Sequence, residues 1–199
     1  MPNRFLYLAR HGEAVDEGDL TARGRQQARA LGRRLAAVPL SAVHHGPLPR
    51  ATHTAELVGR ELSGVPLHSS PVVGDYVPPL PDLGALPEPY AQFLGSVSPA
   101  ERAAGARLAA AAVERFATPA TVETHELIVT HNFLIAWLVR HALDAPNARW
   151  LGLNAANCAL TVILYRPDRP AALVAYNDVS HLPPDQRWTG LPPYAGVLT

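Results

Sequence analysis

Short apolar runs of strand length alternate with amphipathic helical patterns along this 199-residue chain, and that alternation restricts it to an α/β architecture. Residues 5–8, 40–43, 126–130, 159–165 and 172–176 read as strands, because they are rich in Val, Ile, Leu and aromatic side chains. Helices are expected from a Thr21 cap to about residue 36, from Arg50 to about residue 62, over 100–116 and over 132–143. The expected fold is a three-layer, mostly parallel central sheet with helices on both faces, formed as one domain over residues 1–199. Pro71, Pro78, Pro79, Pro81, Pro87, Pro89 and Pro99 rule out long regular elements in 71–99, which reads as an ordered lid or insertion. An interdomain linker is disfavoured, because neither flank alone carries a complete set of reactive residues. The Pro-rich tail, 182–199, holds Trp188, Leu191 and Tyr194; it either wraps the domain or forms a homodimer contact.

Ligands of such sheets gather outside the carboxyl ends of the strands. Three distant segments supply chemistry there: Arg10-His11-Gly12 after the first strand, Arg50 at the start of the second helix, and His131 where the strand ending at Thr130 meets a helix. Two guanidiniums, two imidazoles and the free N–H groups of a helix N-terminus suit a dianion such as a phosphoryl group. Each residue alone is weak evidence, since a His at a strand end is most often a turn or core residue. The weight comes from the four together.

Composition removes several alternatives. All seventeen basic residues are Arg. Without Lys there is no Schiff-base chemistry and no phosphate loop of the kind that needs Lys. The single Cys158 sits beside an apolar strand run, where a buried thiol is the expected state, so a thiol phosphatase is disfavoured and no intrachain disulfide can form. Formal net charge is zero, and the arginines of residues 23–34 are scattered around their helix, so they read as a solvated face with no nucleic-acid partner expected. The most apolar stretch, 133–139, is interrupted by Arg140 and is far short of the ~20 residues a membrane span requires. No membrane partner is expected, and with no secretory apolar region ahead of Arg4 the default location is the cytoplasm. His44, His45 and His53 show no ligand spacing with a carboxylate or Cys cluster, so no metal and no cofactor is expected.

The Arg-His-Gly motif, the second Arg and the strand-terminal His resemble those of the histidine phosphatase superfamily, the phosphoglycerate-mutase-like group, over nearly the whole chain. The Arg-Ala-x-x-Thr segment of residues 50–54, the Trp150-Leu151-x-Leu153-Asn154 stretch, Arg166-Pro167 and Pro183-Pro184-Asp185 are most similar to the branch containing a mitochondrial mutase-like protein phosphatase. The resemblance implies a phosphomonoesterase in which His11 takes the phosphoryl group. Arg10 and Arg50 would hold its oxygens, and His131 would stabilise charge from the opposite side. Cationic neighbours also keep the imidazole neutral and nucleophilic near neutral pH.

A carboxylic acid must protonate the leaving oxygen, and the resemblance points to Asp75, a shorter side chain than the Glu of the protein-phosphatase branch. Asp82 and Glu88 are the reserve candidates. A bound phosphate dianion would favour the protonated acid. Asn132 is assigned to phosphate binding or to capping its helix, and His45, Tyr76 and His181 are candidate substrate contacts.

The substrate is expected to be a phosphorylated small molecule or phosphoprotein. Rival readings are a phosphoglycerate-mutase-type phosphomutase and a catalytically silent relative that binds a phospho-ligand. No Arg or Lys occurs between Arg60 and Arg102, so the lid offers little to a polyanion. A monophosphate whose remainder is apolar, neutral or cationic is favoured.

Overall fold

A computed structural model describes residues 2–15, 18–80 and 82–191. Six strands form one sheet: β1 (Arg4–Arg10), β2 (Ala42–His45), β3 (Leu67–Ser69), β4 (Thr124–Thr130), β5 (Leu160–Arg166) and β6 (Arg169–Asp178), in the order β3-β2-β4-β1-β5-β6. The first four in that order are mutually parallel; β5 runs antiparallel to β1 and β6 antiparallel to β5. The helices are α1 (Ala22–Leu35), α2 (Pro49–Gly59), α3 (Glu88–Gly95), α4 (Pro99–Phe116) and α5 (Asn132–Ala142). Among the described residues no helix is long and apolar enough to cross a membrane.

The period of two in the strands splits the core into two layers. Leu6, Leu8, Ile128 and Ile163 face α4 and α5, meeting Ala109, Phe116, Leu134 and Leu138. Ala9, Val43, Leu127, Val129 and Val162 face the other way, onto Ala28, Leu31 and Leu35 of α1 and Ala55 and Val58 of α2. Central strands buried on both faces explain why these runs read as nearly continuous apolar sequence.

Local chemistry fixes the helix starts. The Thr21 hydroxyl accepts from the Gly24 amide at 2.9 Å, capping α1. Ser98 and Glu101 form a capping box at the start of α4. Pro49 opens α2 without a side-chain cap. The sequence reading placed the second strand two residues early: Leu40 packs in the core ahead of β2, and pairing to β4 holds Ala42 opposite Glu126 and His45 opposite Val129. It also missed β3, whose three residues are all exposed and carry no apolar pattern.

The proline-rich insertion is packed onto the body. The Trp150 indole donates to the Pro79 carbonyl at 3.3 Å, Arg102 Nε donates to the Val97 carbonyl at 2.9 Å, and Phe93 meets Phe133 edge-on. Prolines limit regular structure there to two short 3-10 turns and α3, which begins at Glu88-Pro89. At the other end, Trp188 and Leu191 pack against Ala30, Ala156, Val179 and Leu182, so the described part of the tail wraps the domain. Tyr194 lies outside the described residues.

Candidate active site

The carboxyl ends of β1, β2 and β4 lie side by side, and the three segments singled out from sequence meet there. The His11 amide donates to the Thr130 carbonyl at 2.9 Å, extending the β1–β4 pairing, and the His11 and His131 ring centroids are 5.1 Å apart. Arg10, His11, Arg50, Asp75 and His131 all line one cavity of about 660 Å³.

His11 is held in one tautomer. Its Nδ1 lies 2.8 Å from the Gly12 carbonyl oxygen, which can only accept, so Nδ1 carries the hydrogen and Nε2 keeps a lone pair. The residue is 7% exposed, and burial, the adjacent His131 and the Arg10 and Arg50 guanidiniums push its pKa down to about 3. The same causes, burial first and then Arg50 and Arg10, push His131 down to about 3. Both imidazoles are therefore neutral at pH 7. Gly12 permits this geometry: a Cβ there would stand 2.5 Å from the Gly24 carbonyl oxygen, so only glycine lets the His11 loop lie against the start of α1.

Arg10 uses Nη1 on two carbonyls, Ala155 at 2.9 Å and Gly190 at 2.6 Å, while its Nε is buried with no partner among the described residues. Arg50 donates from Nη2 to Asp75 Oδ2 at 2.8 Å and leaves Nη1 buried and unpartnered among the described residues. His131 Nδ1 lies 3.3 Å from the same carboxylate oxygen. His131 is also the N-cap of α5 and gives no side-chain cap, so the first-turn amides are not covered by it. Buried unpaired donors beside a strand-end histidine form an anion cradle, and Asp75 stands on two of the donors a phosphoryl oxygen would use.

Of the three carboxylates considered from sequence, Asp75 is the one on the cavity wall. Asp82 caps the 3-10 turn at 83–85, accepting from the Gly84 amide, and Glu88 opens α3. Four further expectations are corrected. Asn132 is the first residue of α5 rather than its cap; it lines the cavity, while its Oδ1 accepts from the Ala155 amide at 2.7 Å and its Nδ2 faces Asn154, bracing the 153–155 loop. His45 is turned into the fold, with Nδ1 2.9 Å from the Gly46 carbonyl and Thr52 beside it. Tyr76 donates to the Val72 carbonyl at 2.8 Å and packs in the core; burial raises its pKa. His181 Nε2 lies 3.1 Å from the Cys158 carbonyl, bracing the turn whose amide donates to Arg10 O.

Residues given no site role from sequence complete the cavity and its support. The buried Thr54 hydroxyl accepts from the Gly12 amide at 3.0 Å and donates to the Arg50 carbonyl at 2.6 Å, tying α2 to the His11 loop. Its position one helical turn after Arg50 was the available signal. Glu13, Phe133, Asn154 and Asn157 also line the cavity. Both asparagines sit in a loop with no periodic pattern; nothing in the sequence distinguished Asn157, and Asn154 entered only as the end of the Trp150-Leu151-x-Leu153-Asn154 stretch, with no role assigned.

The histidine phosphatase superfamily (branch 1) model matches residues 6–73 and 88–179. The chain belongs to that superfamily. It is 32% identical over 198 residues to the mitochondrial serine/threonine-protein phosphatase Pgam5 of Caenorhabditis elegans and 28% identical over 196 residues to PGAM5 of Homo sapiens. Each match covers 92% of this chain but only 66% and 65% of those relatives' own lengths. Bacillus stearothermophilus YhfR has a similar structure, with a TM-score of 0.69 at 27% identity over 89% of this chain and 98% of that one. The phosphoglycerate-mutase-like α/β fold read from sequence is thereby confirmed. The cytoplasmic location is not: these relatives are named as mitochondrial, which overturns a default based on cysteine content and hydropathy, neither of which reports an organelle. The matched residues omit 74–87, the segment that carries Asp75, and end before the wrapped tail.

Proposed function

We propose that this protein is a phosphomonoesterase that passes the phosphoryl group of a monophosphorylated substrate first to His11 and then to water. One observation carries the reading: a neutral imidazole in a fixed tautomer shares a cavity with Arg10, Arg50 and His131. The His11 Nε2 lone pair forms the N–P bond as the P–O bond to the leaving group breaks. Asp75 gives a proton to the departing oxygen. Positive charge developing on the ring is met at Nδ1 by the Gly12 carbonyl. Arg10, Arg50 and the His131 Nδ1–H hold the equatorial oxygens. Water then attacks phosphorus, Asp75 takes its proton, and the N–P electron pair returns to Nε2 as orthophosphate leaves.

Small molecules and phosphoproteins both fit this reading, and the relatives named as serine/threonine-protein phosphatases favour the latter. The cavity walls add Glu13, Ala14, Phe133 and Leu191 to the cationic floor, and the insertion contributes only Asp75 among the described residues. That lining suits one phosphate on an apolar, neutral or cationic body. In the presence of a chelator, p-nitrophenyl phosphate is expected to turn over at least about tenfold faster, by kcat/KM, than bisphosphoglycerate or an inositol polyphosphate. Preference for the polyanions, or transfer to a second hydroxyl in place of water, contradicts it.

Asp75→Asn separates proton donation from binding. An alkyl phosphate, whose leaving oxygen must be protonated, is expected to lose about 10³-fold in kcat, and a nitrophenyl phosphate about tenfold or less. Equal losses on both substrates contradict the acid role.

A further inference from the structure

We infer that residues 187–191 are a working wall of the catalytic pocket, in which Thr189 positions the His11 loop and Gly190 positions Arg10. The inference rests on the phosphohistidine reading of the site. These residues lie beyond the segment that matches the family model, which ends at 179.

The His11 loop is held from outside by two buried amides. Asn157 Nδ2 donates to the His11 carbonyl at 2.9 Å, and the Glu13 amide donates to Gln27 Oε1 at 2.9 Å. Gln27 is 0% and Asn157 3% exposed, so the other end of each amide also needs a protein partner. Thr189 supplies both. Gln27 Nε2 donates to the Thr189 hydroxyl at 2.8 Å, and that hydroxyl donates to Asn157 Oδ1 at 3.1 Å. The Asn157 amide closes the ring onto the Thr189 carbonyl at 3.0 Å. One hydroxyl thus orients the two amides that fix the backbone on either side of Gly12. Serine can make the same pair of bonds, whereas valine, close in shape, removes the donor to Asn157 Oδ1 and leaves Gln27 Nε2 with the Gln186 carbonyl alone.

Gly190 acts on Arg10. Its carbonyl takes one Nη1 hydrogen at 2.6 Å and Ala155 takes the other, which leaves the Nε–Nη2 edge of the fork as the edge for an anion, with Nε buried and unpartnered among the described residues. The residue sits at φ +76°, and a Cβ there would meet Asn157 Oδ1 at 2.3 Å and Arg10 Nη1 at 2.9 Å. Only glycine lets the chain come this close. Trp188 and Leu191 packing and a Gln27 bond to the Gln186 carbonyl at 2.8 Å anchor the segment.

The test uses the full chain with p-nitrophenyl phosphate kinetics and calorimetric titration of inorganic phosphate. Thr189→Val is expected to lower kcat about tenfold or more with a smaller change in KM, while Thr189→Ser stays within about threefold of wild type. Gly190→Ala is expected to weaken phosphate binding and raise KM about tenfold, because it moves Arg10. Wild-type kcat in Thr189→Val, or equal losses in Thr189→Val and Thr189→Ser, overturns the hydroxyl's role. A Gly190→Ala protein that binds phosphate as tightly as wild type overturns the strap's role at Arg10, whereas an inactive wild type that still binds phosphate refutes the phosphohistidine reading instead.

Discussion

His11→Ala is expected to reduce phosphate release from an aryl monophosphate by about 10⁴-fold or more, with the fold intact. The size follows from what remains in the cavity. His131 is neutral and committed at Nδ1 to an anion, Asp75 is a weak nucleophile held by Arg50, and Cys158 is fully buried. The residual rate belongs to water attacking a phosphate that the guanidiniums still hold. The fold should survive because the ring's Nδ1 bonds to the adjacent Gly12 carbonyl rather than to a distant element, and removing a desolvated imidazole relieves a burial cost. Phosphate release followed in the presence of a chelator, with circular dichroism as the folding control, measures it. A variant retaining more than about one hundredth of wild-type turnover excludes His11 as the nucleophile.

Arg50→Ala carries the second-largest effect, a loss of about 10³-fold in kcat/KM with most of it in kcat. Arg50 is buried, sends Nη2 to the Asp75 carboxylate and has no partner at Nη1 among the described residues, so on the proposed mechanism it both clamps the phosphoryl oxygens and sets the acid. Lysine cannot reproduce the fork, and Arg50→Lys should recover less than about a tenth of the lost activity. Titration of orthovanadate inhibition across wild type, Arg50→Lys and Arg50→Ala distinguishes binding from catalysis. Wild-type kcat in Arg50→Ala contradicts the clamp.

The reactive residues were legible because the fold places them by rule. β1 and β4 are apolar on both faces, so their ends are easily found, whereas β2 ends in two histidines and was placed two residues early; a parallel sheet gathers whatever follows those ends. His11 and His131 each follow the last strand residue and point into the crevice. His45 misled because it is the last residue of β2 itself, opposite Val129 and two positions before the level of His131, and its ring turns toward Gly46 and Thr52. Tyr76 follows Asp75 directly, but its hydroxyl reaches back to the Val72 carbonyl and its ring packs against the core.

What the sequence hid are relations between side chains far apart in the chain. Gln27, Asn157 and Thr189 are unremarkable singly, and their joint role exists only once α1, the loop before β5 and the tail touch. The choice among Asp75, Asp82 and Glu88 had the same character. Only the packing of the insertion against α4 and Trp150 leaves Asp75 beside Arg50.

The central claim is that phosphorus becomes bonded to a neutral ring nitrogen at position 11. Rapid quenching of wild-type enzyme during turnover, followed by alkaline proteolysis and mass spectrometry of the peptide spanning residues 5–23, tests it directly. A phosphoryl group on His11 that survives base and is lost in acid is the expected result. Full turnover with that peptide unmodified, or the label on another side chain, contradicts the account.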